Sequence, residues 1–466
     1  MQKYTERLGD APIGRLLLSL SLPGIAGSIT TSLYNLVDTL WVARLGHEAI
    51  AALTIVFPYQ ILFMTVGMGT GIGIGALVSR RFGEKNPEAT NHIAGQIFFL
   101  SIFWGLVFIC LPYFLADSIL PLIGATPDIM EPSRQYLVIT ACGAPLIIFS
   151  HVTSSLIRGS GDAVKPMIIM ISAGVINIVL DPFLIFGIGP FPEMGIRGAA
   201  WATVIAQSFG GLLALYYLVA RKTAFRVKLC YLRPEFHIIR DIYRVGASAM
   251  ILQITESLSF ILFDRVLAAY GSIHIAALGM AFRICDLAFM PIMGLSNALL
   301  PIVGFNFGSK NFKRMWHSIK LSAFSIMILL LVISVFIEIF TPQLISIFSK
   351  EESLVAAATP FMRIMLSTLF LVGPTMLFIT AFQGMSRGTL ALILSLVRQF
   401  FFFIPLLYLF SYLFGITGVW VSLPVSDIFG FIISFLFIYR EYREHRSKLA
   451  TGSDPLPDYT ASVDKD

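Results

Sequence analysis

Between Leu16 and Ile438 the sequence is a succession of apolar stretches, most of them long enough to cross a bilayer as a helix. A span needs about 20 mainly apolar residues. Twelve stretches qualify, at roughly 16–42, 49–79, 92–115, 134–157, 167–188, 197–219, 243–269, 274–304, 317–339, 360–383, 389–413 and 416–438. Short polar turns such as RRFGEKNPEAT, RGSGDAVKP and FGSKNFKRM separate them. Only 13% of the residues are charged and 56% are hydrophobic, whereas soluble domains carry about 25% charged residues. The expected fold class is an all-α polytopic membrane protein with twelve transmembrane helices.

The net charge of +6 is sorted by side. With the N-terminus inside, 25 of the 33 Lys and Arg fall on that side and 6 on the other, while Arg244 and Arg283 lie within spans. Such asymmetry marks the cytoplasmic face of a membrane protein. It makes the bilayer, rather than nucleic acid, the partner of the positive charge. Both termini are therefore expected in the cytoplasm, with the chain in the cell (inner) membrane. The apolar run after Arg15 is too long for a secretory signal and lacks an A-x-A cleavage site, so it reads as the first span.

The chain repeats itself. ALVSRRFGEKN (76–86) matches PIVGFNFGSKN (301–311) at an offset of 225, and GIRGAAW (195–201) recurs as GITGVW (415–420) at an offset of 220. Each half then holds six spans. Six is even, so the halves insert in the same orientation, related by a pseudo-two-fold axis along the membrane normal, an arrangement found in secondary transporters. The expected organisation is a six-helix lobe over 1–219, a basic cytoplasmic linker over 220–242, a second lobe over 243–439 and a polar, disordered cytoplasmic tail over 440–466.

Polar residues inside the spans point to a path for ions. On span 1, Ser28, Thr31, Asn35 and Asp38 follow a 3–4–3 spacing and share one helix face. Span 5 carries Asn177 and Asp181 at i, i+4, and span 6 carries Thr203. Counted at about 1.5 Å per residue, Asp38, Asp181 and Thr203 fall at similar depth in the outer half of the membrane. Oxygen groups at one level suit Na⁺, and two close carboxylates can hold a proton between them. The alternative is that Asp38 reaches toward Arg44 at the surface while Asp181, before Pro182, closes a helix end.

The second half carries Gln253 and Glu256 on span 7, and Arg283 and Asp286 at i, i+3 on span 8. Either Arg283 and Asp286 neutralise each other within their helix, or Glu256 or Asp286 contacts a cationic substrate. GMGTGIGIGAL lacks the G-x-G-x-x-G order of a nucleotide loop; Gly67, Gly71 and Gly75 instead make a small face for helix packing. There is no Walker A motif, no paired Cys/His ligand spacing, and no histidine beside a recognisable nucleophile, so no enzyme is expected.

Several motifs together resemble the multidrug and toxic compound extrusion (MATE) family, most closely its DinF-like prokaryotic branch. They are LYNLVDTLWVARLG in span 1, SRRFGEKN after span 2, IRGSGD after span 4, GIRGAAWAT at the start of span 6 and PIMGLSNALLPIVGFNFG in span 8. The resemblance implies alternating-access antiport: organic cations or other amphipathic small molecules leave as H⁺ or Na⁺ enters, with no cofactor beyond that coupling ion. It implies that Asp38, Asn177, Asp181 and Thr203 couple the ion, and that Pro23 bends span 1 as a gating kink. Glu256 is similar to a span-7 acid of the other bacterial branch, but that branch's span-10 acid has no counterpart in LSTLFLVGPTMLFITAF. A monomer is expected. A lipid-linked saccharide flippase of the same wider superfamily is the alternative; it would need a basic cavity, and Arg283 is the one Lys or Arg that the span count places well inside.

Overall fold

The computed structural model describes residues 7–348 and 351–451, and among them there is no β-strand. Spans 1 to 3 are the helices Ile13–Ala43, His47–Gly83 and Pro87–Leu122. Span 4 is two helices, Pro127–Cys142 and Ala144–Gly159, bent by 51° at Gly143. Spans 5 to 8 are Val164–Phe186, Ile196–Val219, Phe236–Ala268 and Ser272–Gly308. Spans 9 and 10 are Phe312–Ile339 and Glu352–Gly384. Span 11 starts as Gly388–Leu396, widens into a π-helical turn over Val397–Phe403 and runs on into Ile404–Thr451.

That last helix holds 48 residues and would measure about 72 Å if straight, more than twice the hydrocarbon thickness of about 30 Å. Gly415, at φ 58° and ψ −141°, breaks it and separates span 11 from span 12. Gly195, at φ 56° and ψ −131°, caps span 6 in nearly the same conformation. The repeat is thus written into the backbone: Lys85 and Lys310 share a positive φ, and Asn86 and Asn311 each cap the next helix by accepting a backbone N–H. A side chain at this φ/ψ is strained by about 1–3 kcal/mol. Gly415→Ala is therefore expected to lower the unfolding temperature, whereas Ala at helical, uncrowded Gly279 is not; thermal unfolding of the two variants in detergent checks this.

Two apolar cores form. One draws on residues from Leu8 to Ile242 plus Ala298, Ile302 and Phe305 of span 8, and the other on residues from Phe263 to Ile438. The segment between the lobes is docked rather than loose. Gln96 of span 3 donates to the carbonyls of Tyr231 and Arg233 and accepts from the Glu235 N–H. Span 7 consequently starts at Phe236, seven residues earlier than hydropathy alone suggests. The polar stretch after Arg440, expected to be disordered, stays helical to Thr451, supported by the Arg440–Glu444 pair at i, i+4 and by Glu441 reaching Arg387. Residues 452–466 of that expected tail lie outside the described residues, as do Lys3, Lys350 and Lys465 of the charge count.

The lobes meet where glycine lets backbones touch, in the helix halves nearer the basic side. A Cβ on Gly83 would lie 2.0 Å from the Phe305 carbonyl oxygen, and one on Gly308 would lie 2.1 Å from that of Arg80. A Cβ on Gly73 would lie 2.2 Å from the Ile242 carbonyl oxygen, and Gly69 and Gly246 face each other. The Gly71 and Gly75 face noted in the sequence packs inside the first lobe, against Ser155 of span 4. The same glycine run therefore serves two interfaces, one within a lobe and one between lobes.

Candidate functional site

Asp38 sits one turn from the end of span 1 and is buried, with 9% of its surface exposed. It does not reach Arg44, whose guanidinium lies over the Trp41 ring at 4.5 Å. Asp181 and Asn177 are buried on one face of span 5, and Asp181 is five residues inside that helix rather than at its end. Asn177 Nδ2 donates to Asp181 Oδ1 at 3.1 Å and to Thr203 Oγ1 at 3.5 Å. Asp38 and Asp181 lie within Coulombic range of each other. The structure therefore brings together the four residues that depth counting set at one level.

Three buried oxygens here, Asp38 Oδ1, Asn177 Oδ1 and Asp181 Oδ2, have no hydrogen-bond partner among the described residues. Buried acceptors are nearly always satisfied, and exceptions call for an explanation. A proton on a carboxyl, or a hard cation between these oxygens, would satisfy them. Among the described residues no three His, Cys, Asp or Glu form a metal cluster, so Na⁺ would rest on two carboxylates together with the Asn177 and Thr203 oxygens.

Two tyrosines frame this cluster. Tyr34 is four residues before Asp38, on the same helix face, and its hydroxyl accepts from Gln207 Nε2 at 3.2 Å. Gln207 in turn is four residues after Thr203. That i, i+4 spacing was legible and marks both as neighbours of the cluster. Tyr136, buried and hydrogen-bonded to Gln60, also lies within Coulombic range of both acids. No sequence signal pointed to it, because it arrives through the bend in span 4.

Of the supporting face on span 1, Thr31 is half-buried and donates to the Gly27 carbonyl of its own helix, whereas Asn35 is exposed. Asn35 stands about a third of a turn from the exposed Leu18, Leu22, Leu33, Leu36 and Leu40 stripe. Pro23 lies mid-helix, where it cannot donate to the Ser19 carbonyl, and the adjacent Gly24 lies against Gly294 of span 8.

In the second lobe, Arg283 and Asp286 are exposed and form no ion pair among the described residues, although Arg283 acts electrostatically on Asp286. Glu256 instead faces Arg398 of span 11, at 3.8 Å, and Arg398 donates to Asp427 of span 12 at 2.8 Å. The charge count above, with only Arg244 and Arg283 inside spans, puts Arg398 on the basic side, but it lies about 15 Å in from the start of span 11. Hydropathy counting hid it, since one arginine scarcely lowers the mean of a Phe- and Leu-rich stretch. Gln253 lies one turn before Ser257, which donates to its carbonyl.

Comparison with known proteins agrees with this architecture. The MatE family model matches residues 23–183 and 249–409, one match in each lobe. A multidrug export protein MepA of Staphylococcus saprophyticus is 28% identical over 424 residues, covering 91% of this chain and 93% of its own. An FAD transporter of Shewanella oneidensis is 27% identical over 459 residues, covering 97% and 100%. A solved structure described as the outward-facing conformation of a multidrug resistance MATE family transporter of the MOP superfamily superposes with a TM-score of 0.87, at 27% identity, covering 95% of this chain and 98% of that one. With both lobes matched by the family model and the twelve-span fold shared with solved members, the chain belongs to the MatE family of multidrug and toxic compound extrusion transporters.

Proposed function

We propose that this transporter exports organic cations or other amphipathic compounds in exchange for H⁺ or Na⁺, with Asp38, Asn177, Asp181 and Thr203 as the coupling site. The observation that carries the reading is the buried pair of carboxyls with its three unpartnered oxygens. With the basic side in the cytoplasm, the glycine-lined contacts hold the lobes together at the cytoplasmic end. An ion arriving from outside then meets Asp38 near the outer end of span 1. Its charge changes what span 1 packs against, and Pro23 supplies the flexible point at which that helix can bend. Ion and substrate need not touch; each needs only to favour a different conformation.

Proteoliposomes loaded with a fluorescent organic cation test this directly. Export is expected under an inward proton gradient or an inward sodium gradient, imposed separately, and absence of export under both would overturn the antiport reading. The MepA relative supports drug-like cargo. The FAD transporter relative, matched over its whole length, gives a second cargo class, an anionic dinucleotide. Competition by FAD against the cation separates the two. A saccharide flippase would call for several free basic groups within the spans; Arg398 is engaged by two carboxylates, which leaves the exposed Arg283 as the candidate.

A further inference from the structure

The C-lobe charged cluster has no part in the cycle proposed above. Arg398, Glu256 and Asp427 come from spans 11, 7 and 12, which the internal repeat makes the counterparts of spans 5, 1 and 6, the helices that build the N-lobe cluster. All three lie near the middle of their spans. The two ion pairs are unequal. Arg398 Nη1 donates to Asp427 Oδ1 at 2.8 Å, and the two side chains are only 14% and 6% exposed. Arg398 Nη2 is 3.8 Å from Glu256 Oε1, beyond hydrogen-bonding distance, and the Glu256 side chain is 26% exposed.

The backbone sets this geometry. Arg398 lies in the π-helical turn Val397–Phe403, just ahead of Pro405, whose ring disturbs the preceding turn. Its stem rests where Gly430 has no side chain, since a Cβ there would lie 2.8 Å from Arg398 Cγ and Cδ. Two carboxyl groups face one guanidinium, and Glu256 holds the weaker, more exposed pairing. One turn further along span 7, the half-exposed Phe260 packs edge-on against Phe282 of span 8, with ring centroids 4.7 Å apart. An acid beside two aromatic rings offers separate contacts for the charged head and the apolar body of one ligand.

We propose that Arg398 is a tethered counter-ion, clamped to Asp427, which gives up its loose hold on Glu256 to the cationic head of an amphipathic organic cation. The proposal deepens the transport reading and rests on it for the class of ligand. In the absence of ligand the guanidinium limits the cost of a carboxylate in the membrane interior. On binding, the ligand takes over the open contact while the Asp427 pair stays made.

The test is equilibrium binding of tetraphenylphosphonium to the purified full chain in nanodiscs, with no ion gradient. Glu256→Gln is expected to weaken binding at least tenfold. Arg398→Gln/Asp427→Asn, which removes the tether together with the carboxylate that clamps it and leaves Glu256 without a counter-ion, is expected to tighten it about tenfold, and adding Glu256→Gln to that double variant should cancel the gain. Unchanged binding in Glu256→Gln, or unchanged or weaker binding in a folded double variant, overturns the proposal, as does no detectable binding by any of them. If the double variant fails to fold, Glu256→Gln alone decides. Failure of the antiport reading would look different: these binding effects would persist in a protein that exports nothing under either gradient.

Discussion

Asp38→Asn and Asp181→Asn are each expected to reduce gradient-driven export by about 100-fold, the scale of a strong coupling free energy, while leaving the protein folded. The reason lies in what the substitution keeps. An amide has the carboxyl's shape, and Asn at 181 can still present an oxygen to the Asn177 Nδ2 that now meets Asp181 Oδ1. It cannot change charge, so the conformational preference that the ion imposes is lost. Burying a neutral amide also costs less than burying a carboxylate, so the unfolding temperature should hold or rise. Export from proteoliposomes under imposed gradients, with thermal unfolding of the same preparations, checks both halves. Parent-like export by both variants would remove the N-lobe cluster from the mechanism.

The second large effect is expected at the seam between the lobes. Gly83→Val or Gly308→Val would place atoms about 2 Å from a facing carbonyl oxygen, so the two lobes must separate at the basic side. Overpacking of this kind costs about 1–3 kcal/mol, enough to invert two conformations that differ by a few kcal/mol. Spin labels at Glu88→Cys and Lys313→Cys, both exposed on the first turns of spans 3 and 9, would report the opening as a longer distance. Cys110, Cys142 and Cys230 are exposed and would first be replaced by Ser. A folded Gly308→Val protein with the parent distance would show that this seam does not hold the closed end.

The sequence was informative about the candidate site because its residues obey helix spacing. Asn177 and Asp181 lie at i, i+4. Thr203 sits at the depth that a fixed rise per residue assigns it, and the structure joins it to Asn177. Where a span departs from a straight α-helix, that counting loses its grip. The 51° bend at Gly143 carries Tyr136 to the acids, and the π turn in span 11 turns Arg398 inward. Asn35 shows a different limit: its spacing from Asp38 is that of a shared face, but the edge of the buried face falls between them, with Asp38 buried and Asn35 exposed.

What the sequence determined by itself was the number of spans, the sorting of most basic residues between sides and the parallel repeat. Each of these follows from local hydropathy, fixed helix rise or direct comparison of one half with the other. What only the tertiary structure decided was which faces meet: Gly73 on Ile242, Gly83 on Phe305, and Arg398 between Glu256 and Asp427. The physical reason is that lipid tails are as apolar as leucine. In water an apolar stripe announces the face that will be buried. In a bilayer, lipid-facing and protein-facing sides carry the same apolar residues, so the interior face is set by close backbone approach and by polar groups that find each other across helices.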